Sequence, residues 1–444
     1  MPNAAKVWES LRTSYWFVPS LMSAAAVGAA FGVLELDNRV ADQLPGSAWW
    51  LYGGEAPGAR AVLAAIVGSM ISVTSVVFSI TVVALTLASG QFGPRLLRNF
   101  MRDRATQTVM GVFIATFIYA LLVMRAVQGG EQGSFVPPLA VTLAVVLVIA
   151  SMGFLIFFIH HIALSIQAGN VIATIAGETV EAIDRLFPEG VGEHGARPMG
   201  EEALPDTPAD MLTVSARADG YIQIVDTERM LKIAARHDVV VWLQSRPGDW
   251  VVRGASLGCI SATSHRGRGC VDEIAKTFVQ GRNRTFTQDA EFGVLQLVEV
   301  GVRALSPGVN DPFTAITCVD WLSAILRRLA DRDFPERNRF DEDGRLRLVL
   351  STSSFGGFVD SGFHEIRRHA AGSVAVLSRL LEAIANVLGG TARADRRAVL
   401  LRHADLIMLA AMSADLPPSD MQDLHERRAA VQRAASEDEG AQPV

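Results

Sequence analysis

The stretch from Ala61 to Pro94 has 34 residues, and not one of them is charged. A helix of that length is about 51 Å long at 1.5 Å per residue, against a hydrocarbon slab of roughly 30 Å. A helix apolar on every face for so long is not stable in water, so the segment belongs in a bilayer. Hydroxyls break its uniformity. Ser72, Ser75, Ser79, Thr86 and Ser89 follow one another at steps of three and four, with Val82 at the missing step. At 3.6 residues per turn they form one narrow stripe, while Val76, Val77, Ile80, Val83 and Leu87 cover other faces. Small hydroxylated side chains let membrane helices approach closely, so the stripe reads first as a packing seam. Repeated around a symmetric homo-oligomer it reads as a pore lining, with Ser72, Ser75, Ser79 and Thr86 facing the axis.

Three more apolar runs share the first 165 residues with this one. Crossings are predicted over about 16–36, 60–89, 106–125 and 135–161, so residues 1–165 form a four-helix transmembrane domain. Trp8, Tyr15 and Trp16 suit one membrane interface; Trp49, Trp50 and Tyr52 suit the other. Lys6, Arg12, Arg95, Arg98, Arg102 and Arg104 fall on one side of the bilayer, against Asp103. The other side has Arg39, Arg60 and Arg125, diluted by Glu35, Asp37, Asp42, Glu55 and Glu131. The positive-inside rule makes the first side cytoplasmic, which predicts an inner (plasma) membrane protein with both termini inside. Arg95, Arg98, Arg102 and Arg104 would then form a basic inner mouth. His160 and His161 sit where the fourth crossing ends and read as interface residues rather than as pH sensors.

The remaining chain is ordinary in composition. A net charge of −6 gives no reason to expect nucleic acid as a partner. Three cysteines, all after the membrane segments, give no disulfide framework. Cys259, His265 and Cys270 lack the paired short spacing of a zinc site, and no metal or cofactor is expected. Ile162, Ile166, Ile172, Ile175, Val180 and Ile183 recur at helical spacing, which extends the fourth crossing as an amphipathic stem. A linker rich in Gly, Pro and acidic residues follows it, so stem and linker together span 166–210.

Residues 211–270 alternate as strands do, with turns at Asp219–Gly220, Pro247–Gly248–Asp249 and Arg253–Gly254. TERMLKIAARH reads as a short helix entered at Asp226 or Thr227. The strands GYIQIVD and PGDWVVRGASL resemble the halves of lipoyl/biotinyl-type barrel-sandwich domains, and no lysine sits at a hairpin tip to carry a cofactor. That resemblance implies a small β-barrel or sandwich-like part. Residues 271–435 read as mostly helical, with one strand near 345–351, and the tail 436–444 reads as disordered. The predicted fold is therefore a membrane α-helical domain joined to a cytosolic α+β domain.

The most distinctive cytosolic stretch is ALSPGVNDPFTAITCVDWL. Pro307–Gly308 stops one helix, Asp311 caps the next, and Pro312 takes the first-turn position it prefers. Gln288 to Gly293 (QDAEFG), Ala304 to Ala315 (ALSPGVNDPFTA) and the arginine-rich turn after the serine-striped helix form a combination. With it the chain resembles the bacterial predicted membrane proteins grouped as domain of unknown function 2254. The resemblance covers nearly the whole chain and implies a multi-pass inner-membrane protein with a cytosolic tail, without bringing an activity or a catalytic residue.

Hydrolase, metalloprotease, phosphate-loop and dinucleotide fingerprints are all missing from the sequence. Asp289, Glu291, Asp311 and Glu365 are the acid–base candidates, and each reads more simply as a cap or a solvated helix face. No catalytic residue is expected. Arg282, Arg284, Asn310 and Asp311, with Gln288 and Asp289 nearby in sequence, are candidates for an anionic-ligand site. Two function classes remain. One is an oligomeric channel or transport protein passing a small ion, with a cytosolic regulatory domain. The other is a membrane-anchored sensor or scaffold binding a small anionic ligand or a protein.

Overall fold

A computed structural model describes residues 16–40, 51–93, 103–128, 135–188, 211–261 and 267–436. The chain divides into two compact units, Met1–Asn170 and Val171–Val444.

Among its described residues the first unit contains four helices long and apolar enough to cross a membrane: α1 (Phe17–Val40), α2 (Ala56–Phe92), α3 (Arg104–Ala126) and α4 (Pro138–Ser165). Pro138 opens α4 in the first turn, where its missing N–H costs nothing. Helix α3 is the hub, packing against α1, α2 and α4. Phe113, Tyr119, Ala120 and Val123 of α3 are buried with Leu63 and Met70 of α2 and Ala140 and Ala144 of α4. The predicted stem is not a continuation of α4. The helix ends at Ser165, and a turn at Ile166–Gln167 separates it from α5 (Ala168–Leu186). The Asn170 side chain donates to the Leu164 carbonyl across that break.

The second unit is α+β. Its elements begin with β1 (Met211–Ser215), β2 (Gly220–Val225), α6 (Thr227–His237), β3 (Val241–Leu243), β4 (Trp250–Val251) and β5 (Ser256–Ser261). They continue with α7 (Gly267–Ala275), β6 (Phe278–Gly281), α8 (Glu291–Ala304), α9 (Pro312–Leu329), β7 (Asn338–Phe340) and β8 (Leu346–Val349). The last four are α10 (Phe355–His369), α11 (Val374–Leu388), α12 (Ala394–Met412) and α13 (Pro418–Ser436). The predicted cap of α6 is present, since the Asp226 side chain accepts from the Arg229 amide at 3.0 Å.

The strands form two open sheets, ordered β1-β5-β3-β8-β7 and β4-β2-β6. Among the described residues no closed barrel forms, which corrects the barrel suggested by the lipoyl-like pattern. Two pairings that local alternation does not encode account for the difference. Strand β8 lies some hundred residues after β3 and joins it in parallel, Val241 opposite Leu348. Strand β6 falls where a helix was expected and pairs with β2, Tyr221 opposite Gly281. Val214, Ile222, Met230, Val241, Ile260, Ile274, Phe278 and Leu348 make one core beneath both sheets, α6 and α7. In the helical part α11 packs against α9, α12 and α13, while α8 packs against α9 and α10. The predicted linker 189–210 and the tail 437–444 lie outside the described residues.

Candidate functional site

Helix α2 has two unlike faces. Leu63, Ile66, Met70, Val77, Thr81, Ala84 and Ala88 are buried against the rest of the unit. Ser72, Ser75, Ser79 and Thr86 are all exposed on the other side, and Ser89 is half-buried. Each of the four exposed hydroxyls donates to the backbone carbonyl four residues earlier: Gly68 (3.1 Å), Ile71 (3.0 Å), Ser75 (2.9 Å) and Val82 (2.9 Å). A hydroxyl bonded in this way is tolerated in an apolar medium, yet its oxygen keeps a lone pair for water or a neighbouring helix. Gly68 also lies on this face, with open space where a Cβ would stand, so packing within the unit does not require its small size.

Of the predicted inner-mouth arginines, Arg104 is the exposed first residue of α3, while Arg95, Arg98 and Arg102 lie outside the described residues. The residue that organises this end is Asp103. It caps α3 by accepting from the Ala105 and Thr106 amides (3.1 and 3.2 Å) and the Thr106 hydroxyl (2.6 Å), and it pairs with His161 Nε2 at 2.7 Å. His161 is therefore a cross-helix partner and more than an interface marker; its ring also stacks on Phe157. Burial works to raise the Asp103 carboxyl, but the hydrogen bonds from Thr106 and His161 outweigh it and hold the group below the usual carboxylate range.

Asp37 does comparable work at the other end. Fully buried, it accepts from the Leu139 and Ala140 amides at 3.0 and 2.9 Å and so caps α4 from a different helix. The sequence offered Asp37 only as one acidic charge among several. Its role depends on α1 and α4 meeting, and no local spacing shows that.

In the second unit the candidate ligand residues separate into two groups. Arg284 makes a bidentate pair with buried Asp289, 2.7 and 3.0 Å, and lies over the Phe292 ring. Burial pushes the Asp289 carboxyl up, and Arg284 only partly offsets it. Gln288 clamps Val225 of β2, accepting from its amide at 2.8 Å and donating to its carbonyl at 3.2 Å. Arg282 is exposed beside this group. Asn310 and Asp311 stand after the far end of α8, a helix of 14 residues and hence about 21 Å in length. They build a turn: Asn310 is left-handed (φ 51°), and Asp311 accepts from the Phe313 and Thr314 amides and the Thr314 hydroxyl. The hydrogen bonds from Thr314 hold the Asp311 carboxyl low. One ligand cannot span both groups.

Arg246 and Ser361 are members of the first group that sequence reasoning missed. Arg246 reaches Glu291 (2.8 Å) and Ser353 (2.8 Å), and Ser361 donates to the other Glu291 oxygen. Gly248 permits this approach. Its φ is +97°, and a Cβ there would stand 2.5 Å from Asp289 Oδ2 and 2.8 Å from Arg284 Nη2. The RPGD turn was visible as a turn, but the carboxylates it closes over come from α8 and the preceding loop. Asp289, Glu291 and Asp311 thus each carry structural partners, and Glu365 pairs at the surface with Arg368 at 3.3 Å.

Four apolar helices with a hydroxyl-bearing open face, followed by an α+β unit held by arginine–carboxylate pairs, define the class: a membrane protein with four candidate spans and a large mixed α+β region. Matching over residues 12–386, the chain belongs to the family of predicted membrane proteins described as domain of unknown function 2254. It is similar to an uncharacterized protein of Mycobacterium tuberculosis (strain H37Rv), 32% identical over 423 residues, covering 93% of this chain and 79% of the relative. An uncharacterized protein of Mycobacterium bovis matches with the same identity and coverage. No solved structure matches the chain.

Proposed function

We propose that the protein is a homo-oligomeric conduit for a small ion, with the hydroxyl face of α2 from neighbouring copies turned toward a common axis. It sits in the bacterial inner membrane with both termini cytoplasmic, as the arginine-rich segment 95–104 argues. One observation carries the reading: Ser72, Ser75, Ser79 and Thr86 are exposed, so this protomer leaves the stripe open to a neighbour or to water. Val82, 45% exposed on the same line, gives a ring of such helices an apolar constriction that closes by dewetting. Arg104 and the arginines before it favour anions at the inner mouth.

The hydroxyl bonds to the helix's own carbonyls favour a second reading, in which the stripe is a dry seam and the protein an oligomeric anchor for its second unit. Ser79→Leu separates the two. In reconstituted vesicles the conduit requires ion flux to fall to background while the oligomer persists. Flux equal to wild type, or absent from wild type as well, sinks the conduit and leaves the anchor.

A further inference from the structure

Among its described residues the second unit exposes seven large apolar side chains: Trp250, Val252, Val309, Phe313, Trp321, Leu409 and Met412. Four of them gather at one end of its helical part, as the helix directions show. Helix α10 runs with α8, because Gly362 lies by Val294 and Ile366 by Gly301. Helix α12 runs with α10, because His403 meets Asp360 and the Leu406 carbonyl meets Arg367. The C-terminal ends of α8, α10 and α12 therefore coincide. Val309 and Phe313 occupy the α8–α9 turn at that end, and Leu409 and Met412 occupy the last turn of α12.

Phe313 is 79% exposed, the highest value among the large apolar residues. It is also firmly held. Val309 and Asn310 amides donate to the Ser306 carbonyl, Asp311 N donates to the Ala304 carbonyl at 2.8 Å, and Asp311 caps α9. A turn fixed by this many bonds holds the ring in water beside Val309, Leu409 and Met412, and a contiguous apolar patch of this kind marks a contact surface. Arg303 ends α8, and Arg367, Arg368 and His369 end α10 on the same side, against Glu365. Of the other acidic groups at this end, Asp311 is engaged in capping α9, and Asp415 and Asp420 belong to the α12–α13 link and the first turn of α13, so the basic strip lies on the α8–α10 side.

The chain itself says what meets this end. Helix α5 brings the chain into the unit. A Cβ on Gly293 would overlap the Thr179 hydroxyl, and Arg185 donates to the Phe286 carbonyl at 2.7 Å. Following α5 backward toward Val171 thus means following α8 forward toward the apolar turn. Ser165 ends the bilayer-length helix α4 only six residues before Val171, at most about 21 Å of extended chain.

We propose that the end of the second unit carrying Val309, Phe313, Leu409 and Met412 is a lipid-contact face. Its apolar side chains enter the headgroup–acyl boundary, and Arg303, Arg367 and Arg368 meet anionic headgroups. Aromatic and aliphatic tips beside arginines match the two layers of an interface: hydrocarbon beneath, phosphate above. The inference does not depend on conduction.

The test uses the full chain in nanodiscs of phosphatidylglycerol and phosphatidylcholine doped with nitroxide lipid. The background is Cys259→Ser, since Cys270 and Cys318 are buried. A fluorophore is attached through Phe313→Cys, through Val309→Cys as a second probe, or through Gln432→Cys near the end of α13. That last site marks the opposite end, because α13 runs against α12, with Arg428 at Asp405 and Arg397 at Ala435. Several-fold stronger quenching at 313 and 309 than at 432 is expected, weakened by Arg367→Gln with Arg368→Gln or by phosphatidylcholine alone. Equal quenching at all three positions overturns the proposal. So does shielding of the 313 probe in lipid-free detergent that grows with protein concentration, since the face would then be covered by a second copy.

Discussion

Helices α2 and α3 are almost equally apolar, yet they serve opposite ends. Twice the share of α3 is buried, 44% against 22% over the most apolar stretch of each. Their hydroxyls differ in the same sense. Thr116 of α3 meets Ser151 of α4 at 3.1 Å in a buried cross-helix bond. Ser72, Ser75, Ser79 and Thr86 of α2 are exposed and bond within their own helix. A buried polar group bonded across helices, such as Thr116, thus reports a tertiary contact, whereas the exposed hydroxyls of α2, like its buried Thr81, bond carbonyls of their own helix.

The strongest way to break that comparison is at Asp37, whose carboxylate satisfies two amides of α4. Asp37→Leu should cost about 3 kcal/mol, because two buried N–H groups lose their acceptor. Thermal unfolding in detergent measures it, and a loss no larger than that of Ser79→Ala would show that interior polar contacts carry no special weight.

The next test asks whether the rule holds in the second unit. His403 of α12 is fully buried and bonds Asp360 of α10 through Nε2 at 2.8 Å, while its Nδ1 has no partner. A proton added at Nδ1 would be buried unpaired, and burial accordingly lowers the His403 pKa although Asp360 pulls the other way. The neutral ring therefore favours the fold. Its contribution is complete above the unfolded histidine value of about 6.5 and is lost as pH falls from there through the lower folded value. Burial works to raise the Asp360 carboxyl, but its bonds from His403 and Arg402 keep it below the usual range and ionised throughout that window. His403→Gln should cost about 1 kcal/mol at neutral pH and flatten the decline in melting temperature between pH 6.5 and 5. An unchanged pH slope would remove His403 as its source.

The smallest effect is the most discriminating. A double-mutant cycle of Thr116→Val with Ser151→Ala should return a coupling of about 0.6 kcal/mol, typical of hydrogen bonds between membrane helices. The cycle of Ser75→Ala with Ser79→Ala should return none in a monomeric preparation, because the Ser79 hydroxyl bonds the Ser75 backbone. Coupling that appears only in the oligomer would place a neighbouring copy on the open face.

Local chemistry was readable wherever cause and effect lie within one or two turns of chain. Uncharged length announced the spans, Asp226 announced the start of α6, and Pro307–Gly308 with Asp311–Pro312 announced the turn before α9. Steps of three and four put the hydroxyls of α2 on one line. Family membership was legible too, since the SPGVNDPFTA run is local. What folding alone decided are the meetings of distant segments: Asp37 with the start of α4, Asp103 with His161, Arg246 with Glu291, β8 beside β3. The separation of Arg284 from Asn310 by the length of α8 belongs with them. Periodicity tells a side chain which face it shares. It does not say what stands opposite, because burial and the partner of a polar group are set by three-dimensional packing rather than by neighbours along the chain.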